Sequence, residues 1–318
     1  LAGPSLLLIY LLIGTMLFFV MRAMGELLLH NLEYKSFQDF ARDMLGPWAG
    51  YFAGWTYWIL WVVTASAEVV VIAGYFDFWI KDMTWSMICT FILLMALLGC
   101  NLLTVKLFGE IEFWFAMIKI VAICALILVG IVMVATSFTA PNGSHAQIAN
   151  LWDHGGFFPN GVFGFLGAFQ IAIFAFMGSE LVGTTAAETQ NPTVTLPKAI
   201  NSVPVRIIIF YVGALLVILM VNPWNDIDPE KSPFVTMFSL AGIGIAAHVV
   251  NVVVLTSATS SANSGIFSTS RMVYGLAQEG DAPKSLGVLS AQGVPRNALF
   301  LTSTLLLSSI VLLYAGDS

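Results

Sequence analysis

The 318-residue chain is 58% apolar and 9% charged, with 12 Lys and Arg against 18 Asp and Glu for a formal net charge of −6. A water-soluble domain carries about a quarter charged residues, so this composition excludes a soluble globular fold and suits a bilayer, where the solvent itself is apolar. Cys89, Cys100 and Cys124 all sit inside apolar runs and form neither a disulfide framework nor a metal-ligand spacing.

Eight apolar stretches reach the roughly 20 residues a helix needs to cross the hydrocarbon core. In chain order they are residues 5–25, 50–79, 84–105, 110–136, 160–187, 205–222, 237–270 and 297–314. The pattern predicts an all-α integral membrane protein. The opening Leu1-Ala-Gly-Pro has no basic n-region, so the first run is a span and not a signal peptide. Residues 25–45 are too charged to cross, and their spaced Leu and Phe predict an amphipathic helix at the interface. Breakers separate the later runs: Pro141-Asn142-Gly143, Asn191-Pro192, Asn222-Pro223 and Gly280-Asp281-Ala282-Pro283. Trp48, Trp79, Trp85 and Trp224 near the run ends fit interfacial belts.

Basic residues orient the chain. With the first span running inward, nine fall on the cytoplasmic side (Arg22, Lys35, Arg42, Lys106, Lys198, Arg206, Arg271, Lys284 and Arg296) and two, Lys81 and Lys231, outside. Both ends then lie outside with no signal to export the first. The expectation is therefore a fragment, with at least one span preceding Leu1.

Ionisable groups inside a span cost about 2.5–3.5 kcal/mol each on insertion scales, which makes them functional candidates. Glu68 lies mid-span in VVTASAEVVVIAG, and Lys119 sits about nine residues into the 110–136 run. Both could instead be a buried ion pair or interhelical glue. A lysine held away from water can also load and release a proton. Glu180 closes the run Phe174-Ala-Phe-Met-Gly-Ser-Glu, with a snorkelling interfacial acid as the alternative. Glu110 and Glu112 read as acids offsetting the dipole at a helix start.

The 160–187 run contains Gly161, Gly164, Gly167, Gly178 and Gly183, and Gly178-Ser179 beside an acid is a place for the helix to break. A broken span offers backbone groups to a substrate's charged ends; close helix packing is the competing use of such glycines. In 256–270, ten of fifteen residues are Ser, Thr or Asn. They predict a wet or ligand-facing surface, or hydroxyls bonded back to their own helix. There is no HExxH, Walker loop, Ser-His-Asp set or Cys/His cluster, which argues against an enzyme.

Several long stretches carry a resemblance: MRAMGELLLHNLEYKSFQDFA (21–41), GPWAGYFAGWTYW (46–58), FGEIEFWFAMIKIVAI (108–123), GTTAAETQNP (183–192) and SANSGIFSTSRMVYGLAQEG (261–280). Over its whole length the chain resembles the bacterial amino-acid transporter branch of the amino acid–polyamine–organocation superfamily. The resemblance implies a leucine-transporter-type inverted-repeat fold. Residues 1–318 would form one permease transmembrane domain covering family spans two to nine, without span one or the spans after nine. It also implies a multi-pass protein of the bacterial cytoplasmic membrane that imports a small neutral amino acid with a proton. A permease for another amino acid (aromatic, 4-aminobutyrate or proline) and a passive channel are the alternatives. The implied partners are an amino-acid substrate, protons and the lipid bilayer, with no cofactor, metal or nucleic acid.

Family roles fall on residues present here. The unwound turn of the broken span matches Met177, Gly178 and Ser179, whose carbonyls would receive the substrate's amino group, and Phe174 matches the aromatic that covers the substrate. Glu180 matches a gating acid. Lys119 matches a lysine that stands where relatives bind sodium, with Ser261 as its expected hydroxyl partner. Glu68 matches an acid that contacts substrate or relays a proton.

Overall fold

The computed structural model describes every residue except 1, 35, 104, 141–142, 185–190, 228–231, 243–244 and 318. Lys35 and Lys231, the Pro141-Asn142 breaker and most of the 183–192 match lie outside the described residues.

Helices account for the architecture. In order they are α1 (Leu6–His30), α2 (Phe37–Leu45), α3 (Pro47–Ile80), α4 (Met83–Leu103), α5 (Val105–Ala135), α6 (Gly161–Ala172), α7 (Leu181–Thr184), α8 (Pro192–Arg206), α9 (Ala214–Val221), α10 (Pro233–Leu240), α11 (Ala246–Gln278) and α12 (Arg296–Asp317). Among the described residues seven segments are long and apolar enough to cross a membrane: α1, α3, α4, α5, the 161–183 run, the 192–221 run and α12. The eighth long helix, α11, has 33 residues, about 50 Å of rise, but carries the hydroxyl-rich stretch.

Four boundaries differ from the sequence expectation. Residues 25–30 continue α1, and the interfacial helix is the shorter α2. The helix holding Glu110 and Glu112 begins at Val105, because nothing in Lys106-Leu-Phe-Gly breaks it; neither acid stands at a helix start. The 205–222 run is the end of a helix opening at Pro192, where a missing N–H costs nothing. That run passes Pro204 and absorbs it in a π-helical turn over Ile207–Gly213. The 237–270 run is two helices, α10 and α11, because Gly242 takes a left-handed φ of +77° after α10.

The chain forms two compact units, with α1, α5, α8 and α11 contributing to both. The first comprises Leu1–Ala23, Lys119–Ser179 and Pro197–Val253. One of its cores packs Leu126 and Met133 of α5 against Ala214, Val217 and Val221 of α9 and Met237 of α10. Gly130 permits that approach, since any Cβ there would overlap the Val217 side chain. A second core joins Ile9 and Ile13 of α1 to Ala168, Ala172, Phe176 and Ile207.

The second unit comprises Met24–Ile118, Glu180–Leu196 and Val254–Ser318. Ala65 and Val69 of α3, Leu94 and Leu97 of α4, Ile266 of α11 and Leu299 and Leu306 of α12 make its core. α2 docks through Gln38, 4% exposed, whose amide is wedged between Gly54 of α3 and Gly275 of α11. Arg42 of α2 pairs with Asp281 and, at 3.6 Å, with Glu279. Gln38, Arg42, Arg271 and Glu279 line a cavity of about 410 Å³. There the Tyr34 hydroxyl donates to Asp43, which holds the tyrosine above its usual value of 10.

Candidate functional site

In the first unit the feature that matters is an interrupted helix. α6 ends at Ala172 and tightens into a 3-10 turn over Ile173–Phe176. Met177 is extended (φ −61°, ψ 146°) and Gly178 has φ +94°, a region that costs an L-residue about 1–2 kcal/mol. The helix resumes only at Leu181. The break sets residues 177–180 outside regular helix, with the Met177 N–H donating to the Phe174 carbonyl and the Glu180 carbonyl accepting the Gly183 N–H at its two ends; an interrupted span is the arrangement that presents backbone dipoles to a charged solute. Ser179 Oγ donates to the carbonyl of Phe176 at 2.7 Å and stiffens the turn.

Phe174 and Phe176, two residues apart, differ in burial. Phe174, the expected aromatic cover, is 63% exposed, whereas Phe176 is 6% exposed and stacks on Tyr211 with ring centroids 5.1 Å apart. Tyr10 closes the trio at 5.3 Å from Phe176. Alternate residues of a helical turn point in different directions, and the sequence could not say which of the two faced in. Lys119 is partly buried and stands near the middle of the 31-residue α5.

The second unit holds the other candidates. Glu180 is partly buried and accepts the indole N–H of Trp61 at 3.1 Å, so it is engaged from inside the unit and does not snorkel freely. Trp61 is 3% exposed and belongs to a stripe of α3 with Tyr57, Ala65 and Val69. Its ring lies against Gly265 of α11, where an added Cβ would come within 3.2 Å of Cε3. Glu68 is partly buried, seven residues after Trp61, two turns along nearly the same helix face. Ser261 is partly buried one turn before Gly265. In the hydroxyl-rich stretch, Thr259, Thr269 and Ser270 bond back to Leu255, Gly265 and Phe267 carbonyls of their own helix at 2.5–2.7 Å.

Glu112 corrects the sequence reading most clearly. It accepts Ser260 Oγ at 2.6 Å on one oxygen and Asn263 Nδ2 at 2.8 Å on the other. Asn263 Oδ1 in turn accepts Asn101 Nδ2 at 2.7 Å. Sequence reasoning passed over this set and over Trp61. The available signal was two asparagines, Asn101 and Asn263, in otherwise apolar or small-residue helices, where an amide needs a partner.

The amino acid permease family profile matches residues 1–318. The chain belongs to the amino acid permease family. It is 61% identical over 319 residues to the D-serine/D-alanine/glycine transporter of Escherichia coli K12, covering 100% of this chain and 67% of that protein. The Bacillus subtilis amino-acid permease AapA is 52% identical over 98% of this chain and 67% of its own length. The DL-alanine permease SerP2 of Lactococcus lactis is 45% identical over 96% and 67%. The chain thus spans about two thirds of the length of these relatives. With its membrane helices, membership makes it a multi-pass amino-acid transporter of the bacterial cytoplasmic membrane, built on the amino acid–polyamine–organocation fold.

Proposed function

We propose that this permease imports a small neutral amino acid of the D-serine, D-alanine or glycine class together with a proton. The observation that carries the reading is the helix interrupted at Met177–Gly178 in a permease 61% identical to a transporter of those solutes. In this reading the carbonyls of Met177, Gly178 and Ser179 receive the substrate's ammonium group and Phe174 lies over it. Glu180, held by Trp61, gates the path. Lys119 carries the coupling proton, with Ser261 supplying a hydroxyl, and Glu68 contacts substrate or relays the proton.

A passive pore would need the hydroxyls of α11 turned to an open lumen. Thr259, Thr269 and Ser270 are buried and bonded within their own helix, which supports the carrier reading instead.

The test is uptake by the full-length gene product in vesicles, with and without an inward proton gradient, across glycine and the D and L forms of serine, alanine and an aromatic amino acid. Accumulation of glycine, D-serine and D-alanine above equilibrium, only with the gradient, is the expected result. Equilibration without accumulation would refute proton coupling. Preference for the aromatic amino acid would refute the substrate class.

A further inference from the structure

Both oxygens of Glu112 are committed to α11, and the neighbouring amides fix the direction of the bond to Asn263. Asn101 Nδ2 has two hydrogens, which go to the Leu97 carbonyl at 2.9 Å and to Asn263 Oδ1 at 2.7 Å. That fixes which way the Asn263 amide points. Its Nδ2 must face Glu112, where it arrives at 2.8 Å beside the Ser260 hydroxyl at 2.6 Å. Two donors converge on position 112, and a carboxylate accepts both in charge-assisted bonds. An amide of Gln could accept from Asn263 only by turning its own N–H toward Ser260, whose hydroxyl would then accept instead of donating, and both bonds would lose the charge.

The opposite side of α11 is fixed as well. Gly265 follows Asn263 by two residues, about 200° around the helix. At Gly265 the helix meets the Trp61 ring and Ala65 so closely that a Cβ would lie 3.0 Å from Ala65 Cβ. α11 therefore cannot turn in place without displacing the indole that donates to Glu180. Nearby, Phe108 of α5 stacks on Phe267 of α11 at 3.7 Å, with the Arg271 guanidinium 3.4 Å over the same ring. The stack reinforces the same helix pair.

We propose that Glu112 is a positioning residue for transport. It holds α11 through Ser260 and Asn263, so that Gly265 continues to seat Trp61 and Trp61 continues to hold Glu180. The inference rests on the family's transport activity and on the gating role given to Glu180. It does not depend on which ion drives uptake.

The experiment measures glycine counterflow, which needs no ion gradient, by the full-length protein in proteoliposomes. Rates are normalised to folded protein, for wild type, Glu112→Gln, Asn263→Asp and the double variant. The wild-type rate is the baseline, so a wrong substrate class shows there and not in the ratios between variants. In the double variant the carboxylate placed at position 263 accepts both the new amide at position 112 and the amide of Asn101. Ser260 then donates to the carbonyl oxygen of the new position-112 amide, so every bond is restored with the charge moved by one partner. Each single variant is expected to lose about tenfold or more in kcat with KM within about twofold, the scale of one lost charge-assisted hydrogen bond. The double variant is expected to return to within about threefold of wild type, well inside the coupling that contacting residues show. The pH profile of the remaining rate is expected to stay in place. Singles equal to wild type, or a double no better than the singles, would overturn the proposal. A pH profile displaced in Glu112→Gln would assign the carboxylate to proton transfer and overturn it too. If a single variant fails to fold, the double variant decides by itself: folded and active supports positioning, inactive refutes it.

Discussion

The bond between Trp61 and Glu180 sets how tightly the short helix after the break is held. Trp61→Phe removes the donor of a 3.1 Å bond to a carboxylate while keeping an aromatic ring in a site 3% exposed. A hydrogen bond to a charged group contributes about 1.5–3 kcal/mol net. The smaller ring leaves a void costing on the order of 1 kcal/mol, spread over α3 and α11 and not specific to α7. The bond itself restrains the start of α7, where the Gly183 N–H donates to the Glu180 carbonyl at 2.8 Å. Its loss is expected to lower the local opening free energy by that amount, about a 10- to 150-fold faster amide exchange. Hydrogen–deuterium exchange on peptides covering residues 177–184 reads this directly, with peptides of α6 around Gly167 as the internal control. Glu180→Ala should accelerate exchange by a similar factor, and the pair together little more than either alone. Exchange within about twofold of wild type in Trp61→Phe, or effects that add within about 0.5 kcal/mol, would refute the anchoring role.

Gly178→Ala places a side chain at φ +94°, a strain of about 1–3 kcal/mol. Uptake should fall about tenfold, whereas Gly167→Ala, with open space around its new Cβ, should transport like wild type. Gly130→Ala forces a methyl into the Val217 side chain, and overpacking of about 1–3 kcal/mol should appear as a lower unfolding temperature in detergent. Gly99→Ala, in open space, should not lower it. Arg42→Gln breaks the pairs with Asp281 and Glu279. At a site still partly in solvent this should cost about 1 kcal/mol or less, read as faster proteolysis of the 37–45 segment without loss of expression.

The membrane architecture was legible because spanning a bilayer demands long apolar runs, and α3, α4 and α12 lie close to where those runs fall. The interruption after Phe176 was legible too, since Gly178-Ser179 in an apolar run lacks the side chains that hold a helix together. Boundaries were lost where context overrode local signals. The Asn191-Pro192 breaker separated the 205–222 run from what precedes it, yet Pro192 opens a helix and a π-helical turn follows Pro204. The apolar continuity of 237–270 concealed the turn at Gly242. Glu112 was misread for a different reason. Its partners lie 148 and 151 residues away, and no spacing rule links them. The burial of Phe176 depends on a neighbour, Tyr211, that only the folded unit supplies.

The central claim is that this permease couples an amino acid to a proton through a lysine set in the middle of α5. Lys119→Met keeps the length of the side chain and removes its charge. Reconstituted full-length protein carrying it should lose accumulation of its amino acid under an imposed proton gradient, while wild type at equal density accumulates it many times over. Undiminished gradient-driven uptake in the variant would contradict the account.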